Sequence, residues 1–206
     1  MKYLVLSIAL LVAVSTAAVA QVHFGIHGNV TNFNFGGDLD NIYGLGYGGG
    51  VHLDFKLPIL LSFRLSGDYL MLSPDKGKYQ TFLARYVGSA VASGITIDGG
   101  RIDVYSTNLN AKLDVLPLPV IHVYATGGVG YVRLSSTDAK LNFNGLPPVA
   151  VNAPVQTQSK PSVNAGAGAD LDLGPITLYG EVKVTWILTE GKTSTEVPLG
   201  TVGITF

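Results

Sequence analysis

The chain has 206 residues, with 13 Lys and Arg against 14 Asp and Glu, 13 % charged residues and 26 glycines. Charge is about half, and glycine nearly twice, the usual shares of ~25 % and ~7 %. So neutral a balance lacks the basic patch that nucleic acid requires, and no nucleic-acid partner is expected. A content of 47 % hydrophobic residues excludes intrinsic disorder, and the absence of Cys removes disulfides and thiolate chemistry.

The first element is an address. Lys2 is a positive n-region, Leu4–Val14 an apolar core and Ala18-Val19-Ala20 an A-x-A cleavage site, the pattern of a Sec-type signal peptide over residues 1–20 cut after Ala20. The apolar run is shorter than the ~20 residues a spanning helix needs. One domain, residues 21–206, is expected to follow.

That domain reads as eight alternating segments: Val22–Asn32, Leu45–Phe55, Leu61–Met71, Tyr105–Val115, Ile121–Leu134, Val163–Leu173, Ile176–Leu188 and Val197–Phe206. Apolar residues recur at every second position, the period of a half-buried strand. In the third segment Leu61, Phe63, Leu65, Tyr69 and Met71 oppose Ser62, Arg64, Ser66 and Asp68. Each segment suits the ~9–11 residues of a tilted strand crossing a bilayer.

The connections alternate in length. Lys56-Leu57-Pro58, Pro117-Leu118-Pro119 and Gly174-Pro175 mark short turns, while Asn34–Gly44, Ser73–Arg101, Ser135–Ser162 and Thr189–Glu196 are longer loops. Short turns on one side and long loops on the other is the periplasmic/extracellular asymmetry of outer-membrane barrels. Leu-Asp-apolar triplets centred on Asp54, Asp114 and Asp172 close three strands just before a Pro turn, a hairpin repeat of nearly constant length. Within the long loops, Tyr79–Val87 is expected to extend the sheet above the membrane.

Aromatic positions decide which face meets lipid. On the apolar face Phe24, Phe55, Phe63 and Phe206 gather at the short-turn end, and Tyr47, Tyr69, Tyr131 and Trp186 at the long-loop end. Two aromatic rings bracketing aliphatic residues match the girdles of a bilayer. The expected architecture is therefore an all-β, eight-stranded, antiparallel transmembrane up-and-down barrel with outer-membrane lipid around it. A soluble lipocalin-like barrel, with its apolar face inward, is the alternative.

The leader, the eight alternating strands and the terminal run Val202-Gly203-Ile204-Thr205-Phe206 resemble small outer-membrane β-barrels of the OmpA/OmpX type. In that family an aromatic last residue, with apolar residues at alternate positions before it, is read by the barrel-assembly machinery. The resemblance implies that role for Val202, Ile204 and Phe206. No peptidoglycan-binding domain follows the barrel here, so the resemblance does not extend to wall anchoring.

With the polar face inward, Arg64, Lys112 and Lys183 meet Asp54, Asp68, Asp114, Asp170, Asp172 and Glu181 in a lumen that eight strands leave only wide enough for side chains. Paired charges would plug it, with Asp54, Asp114 and Asp172 as an acidic ring countered by Arg64 and Lys112. His23, His27, His52 and His122 fall on the same face toward the periplasm and are read as hydrogen-bonded to those aspartates. No tight ligand spacing supports a metal site, and no cofactor is expected. Inward glycines at 46, 48, 50, 128, 130, 166 and 168 make room for large neighbours or line an outward-opening apolar cavity.

Two lipid A-modifying enzyme types share the scaffold in the resembling families. Both rely on a His near the long-loop end, where this sequence has none, so catalysis is not expected. The function expected is structural, or surface interaction through the long loops with an unidentified ligand. A narrow channel or a carrier of a small apolar ligand is the alternative.

Overall fold

The computed structural model describes residues 21–32, 42–57, 60–88, 94–143, 147–151, 157–189 and 192–206. The expected signal peptide lies outside these. Eight strands close into a barrel: β1 (Gln21–Thr31), β2 (Gly46–Lys56), β3 (Leu61–Leu72), β5 (Ile102–Pro117), β6 (Ile121–Ser136), β9 (Gln158–Asp172), β10 (Thr177–Thr189) and β11 (Lys192–Thr205). Each pairs antiparallel with its sequence neighbours in the barrel, and β1 meets β11 from Gly25↔Thr205 to Thr31↔Leu199. Closure removes the free edge that an open sheet would present.

Alternation sets the two faces. Along β1, Val22, Phe24, Ile26, Gly28 and Val30 point out while Gly25, Asn29 and Thr31 are buried. Along β3, Arg64, Ser66 and Asp68 are buried against exposed Leu65 and Tyr69. The apolar face is the outer one, which excludes the lipocalin-like alternative.

Strand lengths depart from expectation at the long-loop end. β5 begins at Ile102 and β6 runs to Ser136, so their hairpin continues past the apolar band. β10 and β11 stay paired to Thr189↔Lys192, which makes strand of most of the expected loop Thr189–Glu196. β4 (Ile95–Gly99), β7 (Ala139–Phe143) and β8 (Val149–Val151) form a separate three-stranded sheet inside the long connections.

The expected sheet extension over Tyr79–Val87 is instead a helix, α1 (Lys76–Val87). Asp75 caps it by accepting a hydrogen bond from the Lys78 backbone N–H at 2.8 Å, and Gly88 at φ 84° ends it. Between these stops lie good helix formers, among them Lys78, Gln80, Leu83, Ala84 and Arg85. Their propensity and the two caps favour a helix over an added strand.

Candidate functional site: the barrel lumen and its closure

Arg64 is the hub of the inner network. Its guanidinium holds both Asp54 carboxylate oxygens at 2.7 and 2.8 Å, across the β2–β3 pair Asp54↔Arg64. It also lies 4.2 Å over the Tyr179 ring and reaches Glu181 at 3.8 Å. Glu181 is further held by Lys183 at 3.5 Å and by the Tyr124 hydroxyl, which donates at 3.1 Å. Lys112 pairs with Asp170 at 3.1 Å and sits 3.9 Å over the Tyr124 ring. All of these charged groups are buried, so each relies on its partner in place of water.

The acidic ring does not form as expected. Lys112 is taken by Asp170, two strands away over β6, and not by Asp114 or Asp172. Asp114 and Asp172 are half-buried at the short-turn mouth, where they line an open cavity of about 180 Å³ with Lys56, Ser62, His122 and Asp170. Asp172 accepts from the Gly174 backbone N–H at 3.0 Å, a local turn contact. The triplet repeat thus marks where each strand meets its turn, and only Asp54 lies deep enough for a lumen cation.

Asp68 is the second centre. It accepts from Asn29 at 2.8 Å and Ser66 at 3.1 Å and contacts His27 Nε2 at 2.6 Å. His52 touches His27 at 3.2 Å, Thr205 at 3.0 Å and the Tyr179 hydroxyl at 3.4 Å, not an aspartate. His23 contacts the Phe206 carbonyl at 3.2 Å, and His122 makes no hydrogen bond among the described residues. Only His27 therefore meets a carboxylate. Among the described residues no group of three His, Asp or Glu is placed to hold a metal ion. Asn108 and Asn110, on the polar face of the fourth segment but outside the expected charge network, are buried at inward positions of β5; Thr126, Ser162 and Asn164, buried at inward positions of β6 and β9, were missed. Their phase with Lys112 and Asp170 was the available signal.

The inward glycines are contact points, not cavity lining. A Cβ at Gly128 would overlap the Leu109 carbonyl and Asn110 Oδ1, and one at Gly48 would overlap the Tyr69 carbonyl. Outward Gly180 has nothing within 4 Å of that position. Gly128→Ala is expected to destabilise the barrel by about 1–3 kcal/mol through overpacking against backbone. Gly180→Ala is expected to be neutral or stabilising by about 0.5–1 kcal/mol. Urea midpoints of the two variants in lipid vesicles check this, and equal shifts would sink it.

Above the polar network the lumen is apolar. Leu70, Leu72, Ile102, Val104, Val132, Leu134, Ile187, Val197 and Leu199 pack with Tyr43 into one buried cluster at the long-loop end. Tyr43 donates its hydroxyl to the Gly100 carbonyl, and burial pushes its phenol up to about 12. Beneath the collar, beside Asn108 and Lys183, remains a cavity of about 30 Å³. Its lining is partly polar, with Ser106, Asn108 and Lys183 beside Leu70, Val104 and Ile187. The collar records a change of phase. On β5, Leu109, Ala111 and Leu113 point outward, whereas Ile102 and Val104 point inward; β6 changes in the same way between Tyr131 and Val132. Below the change the strands are built for lipid outside, and above it for water outside.

On the outer face Phe24, Phe63 and Phe206 are exposed and Phe55 half-buried at the short-turn end; Tyr47, Tyr69, Tyr131 and Trp186 also face outward at the other end. Tyr105, in phase with Leu109 and 50 % exposed, joins the second group and was missed. Val202 and Ile204 face outward on β11, paired with Gly28 and Ile26, and the Phe206 backbone N–H donates to the Phe24 carbonyl.

The sequence profile of the outer membrane protein beta-barrel domain matches residues 4–201. Comparison with curated protein sequences finds no match. Among solved structures, the chain is similar to Ail, the attachment invasion locus protein of Yersinia pestis, at 13 % identity and TM-score 0.50, over 90 % of this chain and 97 % of that one. Neisserial surface protein A is similar at 12 % identity and TM-score 0.50, over 88 % and 95 %. A major outer membrane protein of Thermus thermophilus is similar at 14 % identity and TM-score 0.50, over 90 % and 99 %. At such identities these likenesses concern the fold alone.

Proposed function

The chain belongs to the outer membrane β-barrel domain family, and from that premise we propose that it is a closed barrel whose long-loop end serves surface interaction. The observation that carries this reading is where folded structure has been added. The strands continue past the apolar band into rigid hairpins, with α1 and a three-stranded sheet in the connections between them. A purely space-filling barrel needs none of this. Inside, buried ion pairs and the apolar collar leave only about 30 Å³ beneath the collar, which supports a plugged lumen over a conducting one. All four histidines lie on the lumen face of the barrel strands, away from the long connections where a lipid-modifying site would need one, which supports a non-catalytic role. A signal peptide at residues 1–20, delivery of a single domain over residues 21–206, and recognition of Val202, Ile204 and Phe206 by the assembly machinery complete the proposal.

The attachment invasion locus protein is named for surface attachment, the kind of task proposed here. The test is to replace Lys76–Gly88 with a short Gly/Ser linker and measure adhesion of expressing cells to epithelial monolayers and matrix proteins. Adhesion is expected to fall to the level of cells lacking the protein, while the cold-SDS mobility of the folded barrel is unchanged. Unchanged adhesion with a folded barrel would overturn the surface role of this connection.

A further inference from the structure

The outward faces of the described barrel strands carry almost no charge below the phase change. Above it, among the described side chains, three charged groups point outward, and all belong to β5 and β6 at their long-loop end: Arg101, immediately before β5, then Asp103 and Arg133. Two of them satisfy each other. Arg101 pairs with Asp103 at 3.0 Å, and Asp103 also accepts from the Tyr69 hydroxyl at 2.6 Å. Arg133 is exposed and has no hydrogen-bond or ion-pair partner among the described residues.

Its surroundings are aromatic. Tyr105 is directly across the ladder from Arg133, and Tyr69 is across from Tyr105, with the two rings 5.1 Å apart. Tyr131 lies one step below on the same face of β6, at the upper edge of the apolar band, and is 55 % exposed. Arg133 stands between inward Val132 and Leu134, so it lies just past the phase change. Two residues along a strand tilted near 45° raise it by about 5 Å above Tyr131, into the headgroup layer.

We propose that Arg133, flanked by Tyr105 and Tyr131, binds the phosphoryl group of an outer-leaflet lipid headgroup. The chemistry is that of a guanidinium and an oxyanion. A planar fork of N–H donors matches two phosphoryl oxygens, and its cation has no ion-pair partner among the described residues. The tyrosine hydroxyls beside it are donors for a further phosphoryl oxygen or a sugar hydroxyl, and their rings rest on the acyl chain region. Asp103 already holds Arg101 and the Tyr69 hydroxyl and makes no ion pair with Arg133 among the described residues. The inference needs only that the long-loop end faces the outer leaflet; it does not depend on adhesion, which a separate assay reads.

The experiment is native mass spectrometry of the full folded chain in detergent with added bisphosphorylated lipid A. One retained lipid per barrel is expected. Arg133→Gln is expected to lower the retained fraction about tenfold, the loss of one charge-assisted hydrogen-bonded contact. Lys56→Gln, at the short-turn mouth on the opposite side of the membrane, is expected to leave it unchanged. Dephosphorylated lipid A with the same acyl chains is expected to bind wild type as weakly as the bisphosphorylated form binds Arg133→Gln. Cold-SDS mobility confirms that each variant is folded. Equal retention by Arg133→Gln, equal retention of the dephosphorylated lipid, or displacement of the lipid by millimolar inorganic phosphate would each overturn the assignment.

Discussion

Arg64→Ala is expected to lower the unfolding free energy of the barrel by about 3–5 kcal/mol, as breaking a buried ion pair from one side does. The size follows from what is left behind. Asp54, 3 % exposed, would lose both of its short contacts to the guanidinium. Tyr179 would lose the cation over its ring, and Glu181 one of its two cationic neighbours. Asp54 is nearly sealed from solvent, so its carboxylate bears much of the desolvation of a buried charge, with Lys112 its nearest remaining cation. Joint replacement should behave differently. In Asp54→Leu with Arg64→Met both charges leave, while Glu181 keeps Lys183 and the Tyr124 hydroxyl. That double variant is expected to recover most of the loss, since swapping a buried pair for apolar residues of similar volume is often neutral or better. Urea unfolding in lipid vesicles, followed by cold-SDS mobility, measures both. A single-variant loss below about 1 kcal/mol, or a double variant no better than the single, would show that the pair does not hold the lumen together.

The barrel itself was legible because lipid outside and side-chain packing inside impose one period of two on every strand. Val123, Ala125, Val129 and Tyr131 announce the outer face of β6 without reference to any other residue. Pairing inside the lumen was not legible in the same way. Asp54 and Arg64 are adjacent across a two-strand ladder and so followed from the hairpin register, but Lys112 and Asp170 meet over the intervening β6. Which carboxylate a lysine reaches there depends on stagger and depth, and sequence gives neither. The helix α1 was legible in its local signals, the cap at Asp75 and the stop at Gly88, which the expectation of an extended sheet left unused. The collar was missed for a different reason. Apolar residues at Ile102 and Val104 are out of phase with Leu109 and Leu113, and an expectation of one constant phase treats them as the end of the strand. The inversion is itself a signal, because it marks the height at which the outer medium changes from hydrocarbon to water. The neighbouring outward residues Asp103 and Arg133 are polar for that same reason.

The inversion also predicts that equal truncations on the two faces of one strand have unequal costs. Ile102 is fully buried in the collar, with Leu72, also fully buried, directly across the ladder from it. Ile102→Ala opens a cavity in a side-chain core surrounded by water-exposed strands. Its expected cost is about 2–5 kcal/mol, the transfer and cavity terms together. Leu109 is 50 % exposed on the outer face of the same strand, seven positions further along and below the inversion. There, lipid chains as apolar as the removed leucine fill the gap, so Leu109→Ala is expected to cost under about 1 kcal/mol. The two should differ in kind as well as size. The collar stands above the apolar band, so its loss is expected to loosen the long-loop hairpins first, raising amide hydrogen exchange at Val104, Val132 and Leu134 while the pairs below Leu109 stay protected. Exchange that rises equally along β5 would mean that the collar and the lipid-facing barrel unfold as one unit. Equal costs for the two truncations would mean that the inward apolar cluster is no true core, and with it would go the reading of the inversion as the water boundary.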